Sequence, residues 1–341
     1  MLAVRSPGLL STIQDGGRAG YGHLGVPVSG ACDPWGLAVA NLLLASPPDA
    51  PALEVTLVGP ELVARDDCAV ALGGADLGAH VPEEGRALHP GGSYRLRAGS
   101  TLRFGEPRVG VRAYLALAGG VAADVVLGSA STYLTARLGG IDGRALVPGD
   151  ILRAARPAGH DAVGRVWPAS VPLRPGLDQD PRAVRVVAGP HHGLSGGAMY
   201  ERLCTGEWHV HPRSDRMGLR LSGPSLTDGG SGARGPAPEG LVSQGMVWGA
   251  IQVPPEGGPI VLLADHQTVG GYPVVAVVIT ADRPVIGQLG PGDRCVFRPV
   301  TMEEARRAWL ERTEQLRQAA AVLGPDGRER PRERGPGAPT R

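Results

Sequence analysis

Along residues 1–300 the apolar positions fall into short runs, each closed by Gly, Pro, Asp or Ser: 53–62, 68–74, 93–105, 111–121, 183–189, 258–265 and 274–280. Runs of roughly 4–8 residues rich in Val and Leu and bounded by turn formers read as β-strands. Many short strands with frequent turns predict a mainly β chain of barrels or sandwiches. Two stretches carry helical signals. Residues 33–46 begin with Asp33 as an N-cap and Pro34 at the first helical position. Residues 301–323 open on a T-x-x-E capping box, Thr301 and Glu304, and run in good helix formers up to Gly324 and Pro325.

Between these elements, 155–181 lacks periodicity and reads as a linker, and 227–240 as a surface loop. The charged, Pro- and Gly-rich stretch 325–341 reads as disordered. A short echo, G-P-x-L at 59–62 and again at 223–226, supports two lobes. The expected organisation is a β lobe at 1–155, a linker at 156–181, a second β lobe at 182–300, a helix at 301–324 and a tail at 325–341.

Composition narrows the chemistry. The chain has 341 residues, 34 basic against 33 acidic, for a net charge of +1. With 4% aromatics, it has neither the field nor the stacking surface for nucleic acid, and no field for an anionic membrane. All of its basic residues are Arg; Lys is absent. That rules out a Walker A loop, a Schiff-base Lys and a biotinyl-lysine on this chain. No apolar run approaches the ~20 residues of a membrane helix. The four separated cysteines form no CxxC pair, so a cytoplasmic protein with reduced thiols is expected.

Four polar stretches carry candidate chemistry. In 7–33, Asp15, Arg18 and Ser29 lie between glycines, where backbone can approach a ligand; Asp15 and Arg18 either pair with each other in a turn or bind substrate. Asp33 is either a helix cap or a proton-handling carboxylate that also caps. In 119–146, Gly119–Gly120 follow a strand and Ser129 and Ser131 cluster after Gly128, a pattern that suits an anion cradle or an ordinary turn. In 212–218, Asp215 and Arg216 form either a surface ion-pair cluster or a carboxylate- and phosphate-binding group. In 264–273, Asp265, His266, Gln267 and Thr268 sit at a strand end, followed by Gly270, Gly271 and Tyr272, with Gln252 nearby on 249–254; an Asp or His here can act as general base. His209 and His211 share a strand face but lack a third ligand at telling spacing, so no metal site is assigned.

These stretches resemble one family over almost all of 1–300. The run from Pro7 to Asp33, and the segments RAYLALAGG, LGS-x-ST, GG-x-DGR-x-L, SDRMG, GAIQVP and ADHQTVGGYP, look like the C subunit of 5-oxoprolinase, also called the Kip-inhibitor antagonist, a relative of the second allophanate-hydrolase-like segment of urea carboxylase. Departures from the family pattern are Cys32 for Met, Ala130 for Arg, His266 for Arg and Val274 for Lys. The resemblance implies two cyclophilin-like β-barrel lobes. It implies a cytoplasmic hetero-oligomer with B and A subunits that hydrolyses 5-oxo-L-proline to L-glutamate while ATP, with Mg, is split to ADP and phosphate. Asp33, Asp265 and Gln267 would be the catalytic groups. Asp15, Arg18, Ser29, Gly119, Gly120, Ser129, Ser131, Asp215, Arg216, Gln252, Thr268, Gly270, Gly271 and Tyr272 would line the substrate and anion site. Two other functions fit the same resemblance: the carboxyltransferase part of a biotin-dependent urea or amide carboxylase, for which biotin would be the cofactor, and a non-enzymatic partner that antagonises a kinase-inhibitory protein.

Overall fold

The computed structural model describes residues 1–157, 159, 161–227 and 241–324. The tail expected at 325–341 and nearly all of the loop at 227–240 lie outside the described residues. What is described is mainly β, with four α-helices, of which α2 (Ala198–Thr205) lies in the C-terminal half. In the N-terminal half, β1 (Leu2–Ser6), β2 (Leu10–Gln14), β3 (Ala52–Thr56), β4 (Glu61–Ala64), β5 (Cys68–Asp76), β6 (Gly92–Leu96), β7 (Thr101–Leu102), β8 (Val109–Leu117) and β9 (Ile151–Leu152) form two antiparallel sheets. Their orders are β9-β1-β4-β7 and β2-β3-β8-β5-β6. In the C-terminal half, β10 (Arg182–Ala188), β11 (Glu207–Val210), β12 (Gly218–Ser222), β13 (Ala250–Gln252), β14 (Ile260–Leu262), β15 (Val274–Val278) and β16 (Arg294–Pro299) close a seven-stranded barrel, order β10-β15-β13-β14-β12-β11-β16. Parallel pairing of β10 with β16, Arg182 opposite Cys295, seals it.

The continuous apolar runs in the first half are strands covered on both faces. In β5, Val70 and Leu72 enter the core between the two sheets, while Ala69 and Ala71 face α1 (Pro34–Leu43). In β8, Ala113, Leu115 and Leu117 alternate in the same way with Tyr114 and Ala116. Strict period-2 geometry sends neighbours to opposite sides, so a strand buried on both sides loses its polar alternation. The residues facing α1 are small because the helix sits very close: a Cβ on Gly73 would lie 2.0 Å from the carbonyl oxygen of Gly36. The second half buries Val184, Val186, Trp208, Val261, Val275 and Phe297 inside the barrel, and β11 shows plain in-out alternation.

Two segments tie the halves together. The short helix α3 (Arg283–Gly287) presses on the start of α1 so closely that a Cβ on Gly287 would stand 2.1 Å from the Cys32 carbonyl oxygen. The capping box of Thr301 and Glu304 starts α4 (Met302–Leu323). Ala305 and Ala308 of α4 pack on Val187 and Ile279 of the barrel side. Its other end lays Leu316, Ala319 and Leu323 against α1, with Arg312 5.0 Å over the Trp35 ring. The segment after the first half also packs: Trp167 and Val171 join α1, and the Trp35 indole donates to the Leu173 carbonyl at 3.1 Å.

Candidate functional site

Many of the residues picked out in the sequence meet where the two halves touch, in three groups of different character. The first is a buried charge network around Arg216, which precedes β12. Its Nε and Nη2 fork onto the Asp265 carboxylate at 2.8 and 3.1 Å. Its Nη2 also donates to the Gly30 carbonyl at 2.7 Å. Its Nη1 donates to Glu54 of β3 and lies 3.3 Å from the Cys32 sulfur. Glu54 in turn accepts from the Tyr114 hydroxyl at 2.7 Å and the Cys32 amide at 2.9 Å. Burial alone would raise the Glu54 pKa, but Arg216, Arg112 and these two donors together pull it below the usual carboxylate value. Burial opposes the charge of Arg216 too, yet Asp265, Cys32 and Glu54 raise its pKa well above the usual value. Every donor of Arg216 is taken by groups of this chain, so the expected anion receptor is instead a tie between the halves. Burial pushes the Cys32 thiol up to about 11, leaving it protonated.

Asp33 belongs to the same junction. One carboxylate oxygen caps α1 through the Gly36 amide at 2.9 Å, and the other accepts from Gln288 at 2.7 Å. Gln288 is itself fixed by the Val111 and Arg112 amides, both at 3.0 Å. Burial raises the Asp33 pKa to about 6, with Gln288, Gly36 and Trp35 pulling the other way. A carboxyl whose pKa is about 6 folded and ordinary unfolded holds an extra proton in the folded state between roughly pH 4 and 6. Stability from this group therefore falls as pH rises through that window and stays at its lower level above it. Asn keeps the cap and cannot ionise. Asp33→Asn is thus expected to melt higher than the unsubstituted chain at pH 7, by up to about 2–3 kcal/mol equivalent, to keep about half of that advantage at pH 5 and to lose it by about pH 4. Comparing the two chains cancels the opposite contribution of His266, whose pKa is lowered chiefly by burial. Thermal melts across roughly pH 4–7 measure the difference; a constant offset would reject it.

The second group surrounds Asp15 and Arg18 and is chemically open. The Asp15 carboxylate accepts from the Gly17 amide at 2.8 Å, the Ser129 hydroxyl at 2.6 Å, the Ala130 amide at 2.6 Å and the Ser131 hydroxyl. This locks the 129–131 turn against the start of the glycine-rich segment. Arg18, 1% exposed, donates Nη2 to the Ser131 carbonyl, while its Nη1 is buried with no partner. Burial lowers the Arg18 pKa, with Asp15 and Asp265 working against that, so both halves feel its charge; a guanidinium stays charged throughout. Ser29 is buried with an unpartnered hydroxyl and a left-handed φ of 54°. Its amide donates to Ala264 at 3.1 Å, immediately before Asp265. A non-glycine residue held in this region is strained by about 1–3 kcal/mol, and such strain collects at functional sites. Unpaired buried donors are rare enough to need a reason.

Beside this lies a third set. Gln267 donates to the Gln252 side chain at 2.9 Å, and Gln252 reaches the Met246 sulfur at 3.3 Å. A Cβ on Gly270 would stand 2.7 Å from the Gln252 amide nitrogen, so a side chain there would push the end of Gln252 out of its present place. His266 is buried, with Nδ1 2.7 Å from the Gln267 carbonyl; with Nδ1 protonated, Nε2 is left basic. Other candidates stand apart from these groups. Asp215 closes its own turn onto Met217 and Gly218. Gly119 and Gly120 have positive φ, and the Gly120 backbone bonds to Leu117 and Ala155. Thr268 offers its carbonyl to Met246, and Tyr272 and Gly271 are exposed. His209 lies 3.9 Å from Glu207, and His211 accepts from the Arg213 amide at 3.1 Å. Sequence reasoning missed Gln288, Arg112, Glu54 and Tyr114 as members of this junction. For Glu54, Arg112 and Tyr114 the one signal was a polar residue inside an otherwise apolar strand.

Several known proteins are similar to this chain. The family described as carboxyltransferase domain, subdomain A and B, matches residues 24–299. The chain is 34% identical over 322 residues to the C subunit of 5-oxoprolinase from Escherichia coli (strain K12), covering 94% of this chain and 98% of that one. It is 33% identical over 297 residues to the C subunit of 5-oxoprolinase from Haemophilus influenzae, covering 87% and 90%. The solved urea carboxylase of Kluyveromyces lactis superposes with a TM-score of 0.81 at 30% identity, over 93% of this chain and 29% of that longer one. No described helix is long and apolar enough to cross a membrane.

Proposed function

The chain belongs to the family of 5-oxoprolinase C subunits, carboxyltransferase-domain proteins, and from that premise we propose that it is the C subunit of an ATP-dependent 5-oxoprolinase. With B and A subunits it hydrolyses 5-oxo-L-proline to L-glutamate as ATP is cleaved to ADP and phosphate. The observation that carries this reading is that two buried groups on neighbouring backbone segments, Arg18 Nη1 and Ser29 Oγ, each lack a hydrogen-bond partner. A lactam amide resists hydrolysis because its nitrogen lone pair is delocalised. Transfer of the ATP γ-phosphoryl group to the lactam oxygen weakens the C–N bond and makes that oxygen a leaving group. Water then adds at the same carbon, the ring C–N bond breaks as the nitrogen takes a proton, and a second water hydrolyses the acyl phosphate so formed, releasing phosphate and leaving the carboxylate of glutamate. Arg18 and Ser29 suit the negative oxygen that develops, since preorganised donors act most strongly where water is excluded. His266 suits removal of the proton from water, and Gln267 with Gln252 suits orientation of the ring amide. Asp265 and Asp33 act through Arg216 and Gln288 by holding this geometry. Mg²⁺ would travel with the nucleotide phosphates, and with no Lys in the chain the phosphates would meet Arg and backbone amides.

The likeness to urea carboxylase favours one second reading, carboxyl transfer from carboxybiotin to an amide, with the biotin carrier supplied by another protein. The two readings separate in one assay. Co-expressed with B and A subunits, the chain is expected to give ADP release that depends on 5-oxoproline, with glutamate formed in equal amount. A folded complex without that turnover, but with biotin-dependent carboxylation of urea, would replace the first reading with the second.

A further inference from the structure

We propose that the cavity between the barrel and the start of α4 is the docking socket for the B subunit, and that it receives from that partner an apolar segment bearing a carboxylate. This rests on the hetero-oligomeric reading above. The cavity, of about 320 Å³, is lined by Val187, Ile279, Met302 and Trp309, with Trp248 and Arg283 among its polar members. The Arg283 guanidinium lies 4.7 Å over the Trp248 ring. Its Nε is buried with no acceptor, and so is the Trp248 indole nitrogen beside it. No acidic side chain among the described residues pairs with Arg283: the neighbouring Asp282 is engaged by Arg185. Arg306 also borders the cavity.

A half-buried cation without a counter-ion is costly, and the cost is removed when a carboxylate arrives to accept from both donors. The rim is apolar and open: Met302 is 72% exposed, Val247 54% and Trp309 47%. Large exposed apolar residues gathered around an unpaired guanidinium and an indole N–H are the residue types that dominate protein interfaces. The charge argument also selects against the chain's own C-terminal stretch, which carries five Arg and three acids in 325–341.

The test measures binding of the purified full-length chain to its cognate B subunit by calorimetry. Arg283→Gln and Trp309→Ser are each expected to raise the dissociation constant about 10- to 100-fold, while Val125→Asn, at an exposed position elsewhere, leaves it unchanged. Trp309 is exposed, so its variant folds even if the Arg283 variant does not. Unchanged affinity in both socket variants, with the unsubstituted chain binding normally, overturns the socket and leaves the proposed function standing. Failure of the unsubstituted chain to bind B overturns both. A chain that dimerises alone, loses the dimer in Trp309→Ser and still binds B assigns the face to a second copy and also overturns the proposal.

Discussion

Arg216→Ala is expected to cost about 3–5 kcal/mol of stability, the largest effect of any single substitution at the junction of the halves. The side chain is 4% exposed and serves Asp265, Glu54, the Gly30 carbonyl and Cys32 at once. Truncation leaves the Asp265 carboxylate buried without its ion-pair partner and Glu54 with only Arg112, 4.0 Å away, and that desolvation, rather than the lost attraction, dominates the cost. Lys should rescue little, because one ammonium cannot fork onto Asp265 while also reaching Glu54. The readout is the melting temperature, expected to fall by about 4–7 °C, or loss of soluble protein. Adding Glu54→Gln and Asp265→Asn to the Arg216 variant should recover part of the loss, since residues in one network are not additive. An unchanged melting temperature in Arg216→Ala would mean that the junction does not depend on this network.

Ser29→Gly should move stability and activity in opposite directions. Glycine adopts the left-handed conformation freely, so the substitution should stabilise the fold by about 1 kcal/mol, and it also removes a buried hydroxyl that has no partner. The same hydroxyl is one of two groups assigned to the reacting oxygen, so turnover in the assembled complex should drop about 10²-fold. Ser29→Ala separates the causes. It loses the hydroxyl but keeps the strained φ, so it should be as inactive while gaining less stability than Ser29→Gly. Full activity in both variants would remove Ser29 from the chemistry.

The fold was legible where local rules apply. The Asp33–Pro34 start of α1 and the Thr301–Glu304 start of α4 are written in residues close together in the chain, and the doubly covered strands β5 and β8 read as unbroken apolar runs. The candidate site was legible only as a set of dense polar stretches. Sequence proximity suggested that Arg216 acts with Asp215, yet its partners lie 49 and 162 positions away, a distance no spacing rule spans. Asp215 instead satisfies its own turn. Strain at Ser29 was hidden because Gly30 beside it is the residue expected to carry a positive φ; both do. Gln288 had no signal, since a lone amide in an apolar stretch acquires meaning only when Asp33 and the Arg112 backbone converge on it.

The reach of α4 across both halves has a consequence for how the chain is born. The helix that covers α1 is the last described element to leave the ribosome, and α1 is the first α-helix to emerge. At roughly 5–20 residues per second the outer surface of α1 stays bare for roughly 15–60 s. Throughout that interval the face of α1 that later meets Leu316, Ala319 and Leu323 is open to the surrounding medium. Truncation before residue 302 would make that unfinished condition permanent, and chaperones that hold exposed apolar surface would find their client in every shortened product.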